Sequence, residues 1–150
     1  MRKLTGFTCA LLLLTGCPEP PVASRTVSLG FPVPAGQTKV STSVKDSEVR
    51  EAMKVIDSVL TSYGFVRDKN PDMGSAPGFV ASYSKFNEES LRLFVFPIVY
   101  LKGDRLEVVC SEGRRPGGRL SPATNKMLTS LQKDLSNRFG SQNVRLGKAE

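Results

Sequence analysis

The stretch Leu91–Glu112 reads LRLFVFPIVYLKGDRLEVVCSE. Leu91 to Leu101 is rich in β-branched and aromatic residues and carries apolar side chains for both faces of an extended chain. Lys102-Gly103-Asp104 then signals a tight turn. The return limb alternates, with Leu106, Val108 and Cys110 on one face and Arg105 and Glu107 on the other, the period of a half-buried strand. Two strands joined by so short a connection run antiparallel. Pro97 has no N–H for a ladder, so an edge or a bulge is expected near the middle of the first strand.

On either side of this hairpin the apolar period changes to that of helices. Val49, Ala52, Met53, Ile56, Val59, Leu60 and Tyr63 recur at spacings of three and four and predict an amphipathic helix over 47–63. Gly64 is placed to stop it, with Phe65 folding back on the last turn. A second helix opens with Ser121 as cap and Pro122 in the first turn, where a missing N–H is harmless. Met127, Leu128, Leu131, Leu135 and Phe139 form its apolar stripe, and Gly140 ends it. A further strand is expected over 78–86, with Phe79, Ala81 and Tyr83 on one face, and short outer strands at 65–69 and 142–146. The order predicts an α+β fold: an antiparallel sheet of three to five strands with two amphipathic helices packed on one face. It places a single domain at 46–148.

Residues 17–45 have a different composition. Pro18, Pro20, Pro21, Pro32 and Pro34 fall among many Ser and Thr without apolar period, as in a flexible tether. Its root-mean-square reach is roughly 30 Å. The alternative is that Thr26-Val27-Ser28-Leu29 adds an edge strand.

The first residues carry the one specific motif. Arg2 and Lys3 precede an apolar run that ends in Leu11-Leu12-Leu13-Leu14, followed by Thr15, Gly16 and Cys17. A secretory signal has a basic start and an apolar region of roughly 7–15 residues. Pro18 and Glu19 stop this run short of the about 20 residues that cross a membrane. Leu14-Thr15-Gly16-Cys17 resembles the lipobox of bacterial lipoproteins: an aliphatic residue, a small polar one, Gly or Ala, then Cys. The competing reading is an ordinary signal peptide with an incidental cysteine. The resemblance implies that 1–16 is a signal peptide, that Cys17 carries the lipid as the first mature residue, and that the chain is held on the periplasmic side of a membrane. Pro18 stands where an Asp would favour the inner membrane, which tilts the expectation to the outer one.

This processing bears on the cysteine count. Cys9 leaves with the signal and Cys17 is modified, so Cys110 is the one thiol left, within the apolar run Val108-Val109-Cys110. It is expected to be buried and inert.

Formal net charge is +7 and is unevenly placed. Residues 18–112 hold 11 basic and 12 acidic side chains, whereas 113–148 hold 8 basic and 1 acidic. Such asymmetry suggests an anionic partner. In the loop Gly113-Arg114-Arg115-Pro116-Gly117-Gly118-Arg119, three guanidiniums are available to phosphate or carboxylate, with a helix N-terminus just beyond. Lys126 and Lys133, two turns apart, extend the basic face along that helix. A solvated loop and the wet side of an amphipathic helix are the plainer readings.

The chain has no His, which removes the commonest general base and metal ligand. With one free thiol besides, a zinc site is not expected. Ser82-x-x-Lys85 has serine–lysine spacing but falls in a predicted strand, and Asp68, Asn70 and Asp72 lack the Gly and distal Glu of a calcium loop. No catalytic residue, metal or cofactor is expected. The chain is read as a non-enzymatic, lipid-anchored envelope protein that binds a protein partner or an anionic lipid or polysaccharide, with nucleic acid disfavoured by the compartment. The alternative is an immunity or inhibitor lipoprotein that neutralises a periplasmic toxin or hydrolase. An acidic face would suit that role against a basic toxin better than this basic one.

Overall fold

The computed structural model describes residues 22–31, 46–69, 76–85, 95–113 and 119–148. In chain order the elements are β1 (Ala23–Gly30), α1 (Asp46–Ser62), β2 (Val66–Arg67), β3 (Phe79–Ser84), β4 (Val95–Lys102), β5 (Arg105–Glu112), α2 (Pro122–Phe139), a 3-10 turn (Ser141–Asn143) and β6 (Val144–Leu146). The strands form one antiparallel sheet in the order β2-β3-β4-β5-β1-β6. The class is α+β as expected, but six strands are described where three to five were predicted. Among the described residues, no helix is long and apolar enough to cross a membrane.

The extra strand is β1, and it corrects the domain boundary. Composition places residues 23–30 in the tether, with an edge strand at Thr26-Val27-Ser28-Leu29 as the alternative. They lie inside the sheet, paired with β5 from Ala23↔Glu112 to Gly30↔Arg105 and with β6 from Val27↔Leu146 to Leu29↔Val144. The folded domain therefore reaches back to Ala23 rather than starting at 46. The strand's alternation is real but interrupted: Ala23, Val27 and Leu29 are buried, while Arg25 takes the fourth inward position. Its guanidinium is held there by the Gly147 carbonyl (2.8 Å from Nε) and the Asn125 side-chain oxygen on α2 (2.9 Å).

Both helices pack on the inner face of the sheet. Ile56 and Leu60 of α1 and Leu128 and Leu131 of α2 are buried against Val99, Leu106, Val108 and Cys110 in one apolar cluster. Polar links tie the layers: Tyr83 on β3 donates to Asp57 on α1 at 2.5 Å, and the Tyr63 hydroxyl lies 2.9 Å from that of Ser130 on α2. Burial and the Asp57 carboxylate hold the Tyr83 phenol far above its ordinary pKa. The helix ends follow their sequence signals. Phe65 N–H returns to the Leu60 carbonyl and Gly64 N–H to that of Thr61, the paired bonds of a Schellman stop. Ser121 caps α2 by accepting from Thr124 N–H at 3.1 Å.

Two strand expectations need correction. Phe79 pairs with Tyr100, but Ala81 pairs with Val99, so a one-residue bulge separates them. Ala81 and Tyr83 face the core, whereas Phe79 is turned to the outer face and meets the Tyr100 ring edge-on at 6.3 Å. Pro97 lies neither on an edge strand nor at a bulge. It sits in β4 between β3 and β5, just past Ser82↔Ile98, where the β3 pairing ends. Leu101 N–H points to Gly78 at 2.7 Å, on the β3 side, and alternate residues of a strand share that direction. The N–H that Pro97 lacks would thus have pointed at a lapsed ladder.

The outer face of the sheet is covered by neither helix. It carries Phe96 (46% exposed), Ile98, Tyr100 and Val109 beside Ser24, Thr26 and Ser28.

Candidate functional site

The residues expected to form the basic surface are only partly within the described segments. Of its five expected members, Arg119, Lys126 and Lys133 are described and exposed; Arg114 and Arg115 lie outside the described residues, as does Cys17. Lys126 and Lys133 stand two turns apart on one ridge of α2, about 10 Å along its axis. Neither lysine nor Arg119 has an acidic partner among the described residues. Arg138, one turn on from Asp134, is engaged by Glu51 of α1 instead.

The N-terminus of α2 is not the anion site that its position suggests. A buried carboxylate already occupies it: Glu112, 1% exposed, accepts the Ser121 N–H at 2.7 Å. Ser121 takes the Thr124 N–H, Asn125 N–H returns to the Ser121 carbonyl, and Pro122 has none to offer. The Ser121 and Thr124 N–H groups are therefore already engaged. Lys126 and Lys133 form an outward-facing ridge along α2 rather than a cradle at its end.

Ser82, Lys85 and Asp68 are engaged in other contacts. Ser82 Oγ donates to Asp68 at 2.6 Å, and Ser84 Oγ donates to the other oxygen of that carboxylate at 2.6 Å. Lys85 donates to the Tyr63 carbonyl at 2.8 Å and lies over the Phe65 ring. Ser82 and Lys85 therefore make no dyad, and Asp68 is engaged by two hydroxyls; Asn70 and Asp72 lie outside the described residues. No group of three or more Asp, Glu or Cys that could hold a metal occurs among the described residues.

Cys110 is buried, 0% exposed. Burial, reinforced by the nearby Glu112, pushes its thiol up to about 12. The thiolate is the nucleophile, so at pH 8 this side chain is both shielded and protonated. Iodoacetamide is expected to leave Cys110 unlabelled in the folded chain and to label it fully in guanidinium, as read by peptide mapping. Equal labelling in both would contradict the burial.

One basic group escaped sequence reasoning. Arg105 on β5 and Arg145 on β6 are 40 positions apart, but β1 lies between their strands. Gly30 pairs with Arg105, and Ser28 pairs with Arg145. Both arginines line a small cleft of about 140 Å³ with Ser28, Gly30 and Gln142. Only the strand order reveals this meeting. A larger groove of about 430 Å³ between α1 and α2 is lined by both charge signs, Glu51 and Asp134 against Lys54 and Arg138.

Comparisons of the chain with protein-family models, with curated proteins and with solved structures found no match.

Proposed function

We propose that this chain is a lipid-anchored protein of the cell envelope, without enzymatic activity, whose domain binds an anionic envelope component or a partner protein that presents one. The observation that carries this reading is the exposed Lys126–Lys133 ridge of α2, with exposed Arg119 just before the helix, none of them with an acidic partner among the described residues. The lipobox at Leu14-Thr15-Gly16-Cys17 supports the anchoring, and Pro18 favours the outer membrane over the inner. A lipid on Cys17 would keep the ridge near a surface dense in phosphate and carboxylate. Several acyl chains are needed for lasting attachment, because one chain alone binds marginally.

The test is a crosslinked capture of the lipidated protein from its own envelope, at low and at high salt. Each Lys or Arg near an anionic surface contributes about 1 kcal/mol. Arg119→Ala/Lys126→Ala/Lys133→Ala should therefore weaken capture by about a hundredfold at low salt, and high salt should reproduce that loss by screening. Cys17→Ser should release the protein from the membrane fraction. Capture indifferent to both salt and the triple change would sink the electrostatic part of the reading.

A further inference from the structure

The cleft between Arg105 and Arg145 lies at the end of β1, where Ser28 and Gly30 meet Phe31 and the turn that follows α2. The strands of the two arginines flank β1, so the two backbones lie about 10 Å apart, a gap that two arginine side chains can close. Gly30 sits between them without a side chain and leaves the floor open. Ser28, Phe31, Gln142 and Asn143 line the same space, and the Asn143 amide donates to the Phe139 carbonyl at 2.6 Å. No described residue engages either guanidinium. Glu107, opposite Ser28 on the same face, is paired with Lys102 at 2.7 Å. Two like charges, the neutral polar residues Ser28, Gln142 and Asn143, and the apolar Phe31 surround the cleft.

The cleft, about 140 Å³, has room for one small oxyanion. Planar guanidiniums match the paired oxygens of phosphate, and a tetrahedral ligand can accept from both forks and from a hydroxyl at once. We propose that the Arg105–Arg145 cleft is a binding site for a phosphate-type oxyanion, either a phosphomonoester headgroup or free phosphate. The site is independent of the α2 ridge and of lipidation.

Isothermal titration of the full chain in neutral detergent at fixed ionic strength tests it, with inorganic phosphate and glycerol 3-phosphate as probes and acetate as control. Phosphate should bind more tightly than acetate. Arg105→Ala and Arg145→Ala should each weaken it about tenfold, the loss of a charge-assisted hydrogen bond. Tighter binding of glycerol 3-phosphate would identify a headgroup as the ligand; preference for inorganic phosphate would identify the free ion. Gly30→Val keeps both charges and fills the floor. A Cβ there meets only the Asn143 carbonyl oxygen, at 3.8 Å, so the fold should tolerate the change while binding falls. Arg119→Ala/Lys126→Ala/Lys133→Ala should leave phosphate binding unchanged, which separates this site from the ridge. Absence of binding, equal affinity for acetate, or binding that survives both arginine changes or Gly30→Val would overturn the proposal.

Discussion

A chain that begins at residue 46 will not fold, whereas one that begins at Pro18 will. The boundary suggested by composition removes β1, which pairs with β5 over eight positions and is the strand that docks β6. Without it β5 becomes an edge, and β6 loses its partner. Val27, Leu29 and Phe31 are buried to 6% exposure or less. At about 2 kcal/mol each, their burial alone contributes about 6 kcal/mol, against a net stability of about 5–15 kcal/mol for a whole domain. The ladder bonds on both sides and the Arg25 clamp on α2 add to that. Circular dichroism and a urea transition should show no cooperative unfolding for the shorter chain and a single sharp transition for the longer. A cooperative transition in the chain from 46 would contradict the central role given to β1.

The reasons β1 was hard to read are local. Its inward stripe is Ala23, Arg25, Val27 and Leu29, and a charged residue in second place breaks the alternation that marks a strand. Prolines at 20, 21, 32 and 34 dilute any window drawn around it. Arg25 is satisfied only by Asn125 and Gly147, more than ninety positions away, which no local pattern can announce. The helices and the β4–β5 hairpin were legible because their periods are unbroken and their stops lie within a few residues. Phe79 was assigned to the wrong face because a bulge belongs to a pair of strands and leaves its one-residue shift in neither sequence alone.

The same division holds for the basic surfaces. The Lys126–Lys133 ridge follows from helical spacing, so it was visible in advance. The Arg105–Arg145 cleft depends on β1 entering between β5 and β6, so it could not be. Glu112 lies between these cases. It continues the inward stripe of Leu106, Val108 and Cys110, and a carboxylate in that register signals a buried partner. Reading it would have removed the α2 N-terminus as an anion site.

Replacing Gly78 with alanine is expected to cost about 3–4 kcal/mol, a large effect for one methyl group. Gly78 has φ +74, and an L-residue in the left-handed region costs about 1–2 kcal/mol. Its Cβ would also stand 2.3 Å from the Leu101 carbonyl oxygen and 3.3 Å from the carbonyl carbon, which is backbone and cannot swing aside as a side chain would. Retreat is blocked, because the Gly78 carbonyl accepts the Leu101 N–H at 2.7 Å and Leu101 is paired with Leu106 in β5. Relief must break that bond or bend β4, and forced backbone shifts of this kind cost about 1–3 kcal/mol. Gly103 supplies the control. It too has a positive φ, +61, but a Cβ there meets nothing within 4 Å. Gly103→Ala should therefore cost the strain alone, about 1–2 kcal/mol. Urea midpoints for the two variants separate strain from collision: similar losses would show that β3 can give way beside Leu101, and a gap of about 2 kcal/mol would show that the close approach at Gly78 fixes the β3–β4 register.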